Sequence, residues 1–160
     1  ATITLYSHKL RDFGLSQTSI YLGFAQGDKV AADKEITVSA VLLPDFEMLS
    51  QEELEDAPHI TLSKDSLDLG AFNGKKKKRG EIEITNTGHS LLDIRSLQMS
   101  ATGLQLSLSK TKVNPGESVK LKVTARAEDF KTKRKAPRIL MITNDPNNPK
   151  VEIKVKATLR

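Results

Sequence analysis

The residues of this sequence with the clearest capacity for binding chemistry are cationic. One uninterrupted run lies between Gly74 and Gly80 and consists of Lys75, Lys76, Lys77, Lys78 and Arg79. Four more lysines stand at alternate positions in two segments with strand-like patterns, namely Lys120, Lys122, Lys154 and Lys156. Ammonium and guanidinium groups at this density can bind the phosphates of lipid headgroups, lipopolysaccharide or nucleic acid.

Three interpretations of these cations remain open on the sequence. They keep the chain soluble and protect strand edges, they bind an anionic polymer or membrane surface, or they dock an acidic neighbouring domain. The run 75–79 is predicted to lie in a solvated loop before a strand at 81–85, and a second basic cluster at 131–135 in another loop. Nucleic acid is not a predicted partner, because base stacking needs exposed aromatic residues among the cations and Phe130 is the only aromatic directly adjacent to these basic clusters in the sequence.

Residue types that carry catalysis are not grouped in a way that supports it. His8, His59 and His89 are far apart in the sequence, and none has a second ligand at metal-binding spacing. The chain has no cysteine, and its glycines form neither a phosphate loop nor a dinucleotide fingerprint. Acidic residues cluster at 52–56, where they suit the start of a helix. We therefore predict no enzymatic activity, no cofactor and no metal site.

The segment 144–148, Asn-Asp-Pro-Asn-Asn, offers oxygen atoms of the kind that bind Ca²⁺. It has one carboxylate, at Asp145, and lacks the further acidic residues and terminal glutamate of a calcium loop. Pro146 and Pro149 exclude the segment from a central strand and fix the backbone of a turn. We predict a hairpin turn here.

The elements that must position these groups are strands. Apolar and polar residues alternate at 81–85, 104–108, 119–125 and 151–159. A period of two buries one face of a strand and leaves the other in water. Further strands are predicted at 60–63, 67–69, 91–99 and 138–143. Seven or eight short strands over about 100 residues predict an all-β fold, an immunoglobulin-like antiparallel β-sandwich at 59–160.

The first part of the chain has the pattern of a preceding, incomplete unit. Strands are predicted at 2–7, 19–24 and 35–43, and the pattern E-I-x-V-x-A at 35–40 recurs at 152–157. Residues 3–7 align with 139–143 in the same way, which indicates a tandem repeat whose first copy is present as its trailing strands. Two or three strands alone are unstable in water. We expect them to pack on the sandwich or to pair with a strand of another chain in a strand-mediated dimer.

A short connector joins the two parts. Ser50 and Glu53 have the spacing of a capping box, and Pro58 limits the helix that follows, so one short helix is predicted at 51–56. The predicted organisation therefore has three parts: 1–43 as strands of a truncated preceding repeat, 44–58 as the connector, and 59–160 as the sandwich domain.

Charge is distributed unevenly between these parts. Residues 1–58 contain four Lys and Arg against ten Asp and Glu, a formal charge of −6, whereas residues 59–160 contain 21 against ten, a formal charge of +11. The two parts either attract each other or use the excess charge on a partner. The N-terminus lacks the features of a signal peptide and opens in a strand-like pattern, which favours a piece of a longer chain.

Several short motifs follow one another in a recognisable order. They are the connector 43–58 (LPDF, LSQEEL, AP), 69–72 (LGAF), 84–88 (ITNTG), 114–118 (NPGES) and 143–149 (TNDPNNP). This series resembles tandem members of the domain-of-unknown-function family 1573 of Gram-negative bacteria. The resemblance implies an immunoglobulin-like fold and export to the cell envelope, and it brings no catalytic residue or cofactor. Many members carry Cys-Gly-Cys where this chain has 99–104 (MSATGL), so a role for those cysteines would not apply here.

Two functions of different classes follow. The first is a non-enzymatic structural or protein-interaction module of the cell envelope, in the periplasm or at the cell surface, which recognises another envelope protein or a neighbouring domain by strand edges or loops. The alternative is an anion-binding module for lipopolysaccharide, a membrane surface or another polyanion, which uses 75–79 together with the strand lysines.

Overall fold

The computed structural model describes residues 2–23, 25–99, 103–130 and 137–159. Within these residues lie two α-helices, α1 Gln51–Glu55 and α2 Ala127–Phe130, and two 3-10 turns, Ser7–Lys9 and Ala32–Lys34. The strands of the described residues are β1 Gly14–Tyr21, β2 Glu35–Leu42, β3 Ile60–Leu62, β4 Ser66–Ala71, β5 Lys77–Asn86, β6 Leu92–Met99, β7 Leu104–Leu108, β8 Lys112–Val113, β9 Ser118–Arg126, β10 Arg138–Thr143 and β11 Lys150–Thr158. No helix in this part of the chain has the length and apolar character needed to cross a membrane.

Nine of the strands form a two-layer sandwich. One sheet has the strand order β4-β11-β10-β6-β8 and the other the order β3-β5-β9-β7. Neighbouring strands are antiparallel except β4, which runs parallel to β11. Alternate side chains from both sheets meet in one core, which contains Ile82, Leu121, Ile139 and Ile153. The predicted all-β sandwich is confirmed, and its cause is the period-two alternation of these strands.

The two layers approach closely at Gly80 of β5. A Cβ atom at this position would lie 2.7 Å from Cδ2 of Leu69 and 3.0 Å from Cδ1 of Leu67. Both leucines belong to β4 in the opposite sheet and are buried. The absent side chain at Gly80 therefore makes room for the two leucines of β4 against β5.

The strand predicted at 2–7 is wrong. Residues 2–9 are exposed and contain no strand, and β1 at Gly14–Tyr21 occupies the place beside β2 instead. An extended segment needs a neighbour for its backbone groups, and apolar alternation by itself does not supply one. The strand predicted at 19–24 overlaps the end of β1, and its last residue, Phe24, lies outside the described residues. β8 was not predicted because two residues carry no periodic signal.

The internal repeat has a different alignment from the predicted one. Ile20 lies opposite Ile36, just as Ile139 lies opposite Ile153. The match of 35–40 with 152–157 thus falls on strands with the same kind of partner, whereas the alignment of 3–7 with 139–143 is wrong because 3–7 is not a strand. The division of the chain into 1–43, 44–58 and 59–160 remains a prediction.

Helix α1 begins with the hydrogen bonds that the sequence predicts. The backbone N–H of Glu53 donates to Oγ of Ser50 at 3.3 Å, and the backbone N–H of Ser50 donates to Oε2 of Glu53 at 2.8 Å. The backbone N–H of Ser50, and then its hydroxyl at 2.9 Å, donate to the Glu53 carboxylate, so the pKa of Glu53 is lowered from its ordinary value. The helix ends at Glu55, one residue before the predicted end.

Strands β1 and β2 form a separate two-stranded sheet that is attached to the sandwich through β6. The backbone N–H of Leu15 donates to Oε1 of Gln98 at 2.6 Å, and the side-chain amide of Gln98 donates to the carbonyl of Leu15 at 3.4 Å. Gly14 has φ +105°, and a Cβ atom there would lie 2.5 Å from Oε1 of Gln98. The hairpin therefore packs on the sandwich of its own chain, one of the two placements expected.

Candidate functional site

The basic run lies at the end of a strand. Lys75 and Lys76 occupy a turn in which Gly74 has φ +76° and the backbone N–H of Lys75 donates to the carbonyl of Phe72 at 2.9 Å. The next three residues, from Lys77 to the end of the run, are the first of β5. The prediction that the run lies in a loop is therefore wrong for three of the five residues.

Strand β9 is the reason why β5 begins so early. It extends to Arg126, which lies opposite Lys77, and its Thr124 lies opposite Arg79. The pairing continues beyond the strand, because the backbone N–H of Ala127 donates to the carbonyl of Lys76 at 3.0 Å. Strand formation is set here by an available partner rather than by the β-propensity of the residues, since lysine is depleted in strands.

The side chains of the run form one cationic surface with Arg126, which we call the basic end (residues 75–79 and Arg126). Lys77 and Arg79 are exposed on the outer face of the sheet, while Lys78 alternates inward and is half-buried. Among the described residues, the five side chains of the run have no carboxylate partner at ion-pair distance. Arg126 lies 3.8 Å from Glu128. The basic end therefore keeps most of its charge available to an anion.

A groove of about 440 Å³ opens beside the basic end. Its lining combines three ammonium groups, one carboxylate and an apolar base, and consists of Phe72, Gly74, Lys75, Lys76, Lys77, Ala127, Glu128 and Leu159. Phe72 is buried and packs against Phe130, with 5.8 Å between the ring centroids. The groove can accept a group that is anionic at one end and apolar at the other.

The strand lysines of β9 are close to carboxylates. Lys120 lies opposite Glu83 and Lys122 opposite Glu81 on the outer face of the four-stranded sheet. The ammonium group of Lys120 is 3.1 Å from Oε1 of Glu81. A shallow groove of about 600 Å³ runs across this face and is lined by Arg79 and Lys122 together with Glu81. The cations of β9 are therefore largely compensated by the glutamates of β5.

The strand lysines of β11 lie on the other side of the molecule. Lys154 and Lys156 are exposed on the outer face of the five-stranded sheet, where Lys156 lies beside Asp68 of β4. The structure therefore separates the nine predicted anion-binding residues into the basic end and two strand rows on opposite faces of the sandwich. The second basic cluster predicted at 131–135 lies outside the described residues.

The turn at 144–148 connects β10 and β11, as predicted, and its carboxylate serves the fold. Asp145 is fully buried. Its Oδ2 accepts from the backbone N–H of Ile60 at 2.9 Å, and its Oδ1 accepts from the backbone N–H groups of Asn147 and Asn148 at 2.8 and 3.2 Å. His59 Nδ1 lies 3.3 Å from the same carboxylate. Among the residues that the structure describes, no three His, Cys, Asp or Glu side chains group as a metal site requires.

A concavity of about 980 Å³ lies between the connector and the sandwich. Its lining mixes carboxylates of α1, among them Glu52 and Glu55, with Arg95 and His89. These α1 carboxylates are exposed, and the ring Nδ1 of His89 lies 3.3 Å from the carbonyl of Glu55. The cleft is a polar junction that the connector makes with the loops of the sandwich.

The second candidate surface is the hairpin edge, which we define as the outer edge of β2 at Thr37, Ser39 and Val41. The backbone N–H of Leu22 donates to the carbonyl of Lys34 at 2.9 Å, in register with the antiparallel β1–β2 pair. In such a ladder every second residue is bonded to its partner, and the residues between point their N–H and C=O groups outward. Within the described part of the chain, these outward groups of the hairpin edge have no hydrogen-bond partner.

Sequence reasoning predicted recognition by strand edges but did not locate the open edge at Thr37, Ser39 and Val41, for an identifiable reason. Alternation predicts that 35–43 is a strand, but it does not say whether the strand lies inside a sheet or at its edge. The contact that attaches the hairpin to the sandwich, from Leu15 to Gln98, joins residues 83 positions apart, so no local pattern in the sequence indicates it. The internal repeat was the one sequence feature that indicated an open edge. It matches the N-terminal hairpin with the β10–β11 hairpin of the sandwich, which has neighbouring strands that the N-terminal hairpin lacks within the described residues.

Comparison with known proteins places the fold in a family. Residues 58–158 match the family described as HYDIN/CFA65/VesB-like, Ig-like domain. A protein of unknown function from Porphyromonas gingivalis W83 is similar over 91% of this chain with 28% identity and a TM-score of 0.73. This chain spans 66% of that protein's length, just under two thirds.

Two further solved structures share weaker similarity. They are the secreted serine protease VesC from Vibrio cholerae, with 9% identity, TM-score 0.42 and coverage of 66% of this chain and 24% of that one, and a FixG-related protein from Vibrio parahaemolyticus, with 16% identity, TM-score 0.38 and coverage of 66% and 98%. No curated protein matches the chain. The family match and the Porphyromonas gingivalis structure support the resemblance to family 1573 at the level of an immunoglobulin-like domain, and the narrower family remains a prediction. The chain belongs to the HYDIN/CFA65/VesB-like family of Ig-like domains.

Proposed function

We propose that the chain is a non-enzymatic structural module that binds other proteins through a strand edge. The hairpin edge carries this proposal, because Thr37, Ser39 and Val41 present outward backbone groups that have no described partner. An open edge is the feature that β-strand addition uses, with backbone hydrogen bonds for affinity and side chains for selectivity. An immunoglobulin-like fold hosts many functions, so the proposal rests on this edge and not on the fold class.

Site-specific photocrosslinking in the natural host tests the proposal. A photoreactive residue is placed at Ser39 in the hairpin edge. The matched control position is Glu83, which is exposed on the outer face of β5, a strand that lies between β3 and β9 in its sheet. We expect covalent adducts with protein from position 39 and few from position 83. The absence of adducts at Ser39, or equal yields at both positions, would count against a protein-binding edge.

We further propose that the module works in the bacterial cell envelope as one unit of a tandem array. The resemblance to family 1573 supports the location, and the E-I-x-V-x-A pattern shared by β2 and β11 supports the array. Cell fractionation with an antibody against the chain tests the location. Recovery in the cytosol would overturn the location and leave the binding proposal untouched.

We propose anion binding as a second candidate function, located at the basic end. The observation that favours it is the lack of a described carboxylate partner for the five cations of 75–79, in contrast to Lys120, which pairs with Glu81. Uncompensated cations beside a groove attract phosphate or sulfate groups, and this attraction falls with salt.

Two variants that lose the same number of positive charges distinguish anion binding at the basic end from non-specific attraction by the positive charge of the whole chain. One replaces Lys75, Lys76, Lys77, Lys78 and Arg79 by glutamine, and the control replaces Lys64, Lys120, Lys122, Lys154 and Lys156 by glutamine. We expect the first variant to elute from heparin, and to leave vesicles with anionic lipid, at clearly lower salt than the control. Equal elution of the two variants would show that the basic end is not a site.

A further inference from the structure

Two surfaces of opposite charge lie at the two ends of the sandwich. The connector 44–58 contains no lysine or arginine, and its formal charge of −6 comes from Asp45, Glu47, Glu52, Glu53, Glu55 and Asp56. Within the part of the chain that the structure describes, none of these carboxylates lies at ion-pair distance from a basic side chain. The connector and the run 75–79 of the basic end are therefore both uncompensated by the described residues of their own molecule.

Strand β5 sets the distance between the two surfaces. It begins at Lys77 in the basic end and ends at Asn86, whose Oδ1 accepts from the backbone N–H of His59, the residue after the connector, at 3.3 Å. A strand of 10 residues that rises about 3.3 Å per residue separates its ends by about 30 Å. This is about three Debye lengths at ~0.1 M salt. The two surfaces of one molecule therefore do not contact each other, and a pairing between them joins separate molecules.

The groove beside the basic end has the chemistry to receive part of a connector. It combines three ammonium groups of the run 75–79 with an apolar base, at which Leu159 is 42% exposed. Its one carboxylate among the described residues, that of Glu128, lies 3.8 Å from Arg126. The groove therefore favours an occupant that carries carboxylates next to an exposed apolar side chain.

The connector presents this combination at its first turn. The backbone N–H of Leu49 donates to the carbonyl of Phe46 at 3.1 Å, and Glu47 and Met48 form the tip of the turn between them. Met48 is 92% exposed, more than any other large apolar side chain of the described residues, and it does not line the cleft between the connector and the sandwich. Its transfer into the groove would remove apolar surface from water, while the carboxylates beside it would face ammonium groups.

We propose that the basic end of one molecule binds the connector of a second copy. Met48 enters the groove over Leu159, and the carboxylates of Glu47 and of α1 face the cations of 75–79. Each molecule offers one surface of each kind, so the contact is heterologous and joins copies head to tail. Charge complementarity selects this occupant, because the connector has the charge and the exposed apolar side chain that the groove favours. The inference rests on the proposed anion binding at the basic end and names its partner.

Sedimentation velocity of the whole chain tests the contact. We expect a concentration-dependent association in about 50 mM salt that is lost in about 0.5 M salt, where the Debye length falls to roughly 5 Å. Met48→Ser should weaken the association at least fivefold. The matched control is Val30→Ser, because Val30 is also an exposed apolar residue, at 70%, and lies outside both surfaces. This control should change the association less than twofold.

Two variants with neutralised surfaces identify the partners of the contact. One carries K75Q, K76Q, K77Q and R79Q, and the other carries E47Q, E52Q, E55Q and D56N, with Glu53 kept because it caps α1. Each variant should be monomeric by itself. When mixed, they should form a 1:1 dimer that grows no further, through the intact connector of the first and the intact basic end of the second. The chain has a formal charge of +5, so the variants have +1 and +9, and attraction between opposite net charges does not explain such a dimer.

Disulfide trapping locates the contact, because the chain has no cysteine of its own. A mixture of Met48→Cys with Leu159→Cys should form a mixed disulfide on oxidation, and a mixture of Val30→Cys with Leu159→Cys should not. A wild type that stays monomeric in low salt at every concentration, or neutralised variants that do not dimerise when mixed, would overturn the proposal. A monomeric wild type whose 75–79 variant still elutes earlier from heparin would exclude a second copy as the occupant and leave anion binding standing.

Discussion

Asp145 accepts a hydrogen bond of 2.9 Å from the backbone N–H of Ile60, a residue 85 positions earlier in the chain. The carboxylate is fully buried, and it also accepts from the backbone N–H groups of Asn147 and Asn148. One side chain therefore closes the turn between β10 and β11 and holds the start of β3 against it. This links the two sheets of the sandwich at the end where the connector enters.

Replacement of Asp145 by alanine is expected to destabilise the fold strongly. It leaves the backbone N–H groups of Ile60 and Asn147 without their acceptor, while that of Asn148 keeps the backbone carbonyl of residue 145. Hydrogen bonds to charged groups contribute about 1.5–3 kcal/mol each. We expect a loss of about 3 kcal/mol in urea unfolding. The control is Asp65→Ala, because Asp65 is exposed and accepts from the hydroxyl of Ser66, and its effect should stay within about 0.5 kcal/mol. Equal stability of the two variants would refute this role of Asp145.

Gly88 is expected to tolerate no side chain, because it contacts the segment that enters β3. A Cβ atom at Gly88 would lie 2.3 Å from the backbone nitrogen of His59 and 2.4 Å from the carbonyl oxygen of Ala57. These are backbone atoms of a chain fixed on both sides, so relief requires the connector to move. Gly88→Ala should cost at least about 2 kcal/mol in thermal or urea unfolding.

Gly23→Ala is the matched control for that substitution. Its Cβ atom would lie 3.8 Å from its nearest neighbours, an ordinary contact distance. It should leave stability unchanged or raise it by a few tenths of a kcal/mol, because alanine reduces the entropy of the unfolded chain. A Gly88→Ala variant that unfolds at the same urea concentration as Gly23→Ala would show that the connector adapts without strain.

The sandwich could be predicted from the sequence because its cause is local. In β9, Val119, Leu121 and Val123 are buried and the residues between them are not. The alternation in the sequence therefore identifies which side chains of the strand face the core. The capping box of α1 was predictable for the same reason, since Ser50 and Glu53 are three residues apart and bond to each other. Such features need no knowledge of the rest of the chain.

The features that could not be predicted depend on distant partners. Lys77 begins β5 because Arg126 lies opposite it, and no property of a lysine run favours a strand. The segment 2–7 alternates well and yet forms no strand, because no neighbour in the described residues pairs with it. The nine predicted cations separate onto different faces because strand order, which the sequence does not reveal, puts β9 and β11 in different sheets.

Gln98 is expected to control the attachment of the hairpin without affecting the sandwich. Its side chain makes both described hydrogen bonds to the backbone of Leu15. Gln98→Ala should weaken the local stability of β1 by about 1 kcal/mol, equivalent to roughly fivefold faster hydrogen exchange of its amides. Exchange in β9 should not change. Gln105→Ala, on the exposed outer face of the other sheet, is the control and should leave both regions as they are.

If Gln98→Ala accelerates exchange equally in β1 and β9, the hairpin and the sandwich unfold as one unit. If exchange in β1 stays at its original rate, packing rather than these hydrogen bonds holds the hairpin. Either result would contradict the role assigned to Gln98.

Glu117 is expected to give the turn after β8 a pH-dependent stability. Its carboxylate accepts from the ammonium group of Lys110 and from the backbone N–H of Asn114, the latter at 3.1 Å. The hydrogen bond from Lys110 makes the largest contribution and that from Asn114 the next largest, and together they hold the pKa of Glu117 below its ordinary value of 4.5. A carboxyl group with a lowered pKa in the folded state stabilises the fold fully above its unfolded pKa. This contribution is lost as pH falls through the folded pKa.

The stability difference between the wild type and Glu117→Gln should therefore be largest near pH 7 and should shrink as pH falls below the ordinary carboxyl pKa of 4.5 and through the lower pKa of the folded state. Urea unfolding of both proteins across this range measures it. A double-mutant cycle with Lys110→Met provides the control, because the coupling between the two residues should fall over the same pH range. A coupling that stays constant from pH 7 to the acid end of the range would mean that the Glu117 carboxylate contributes nothing through its charge.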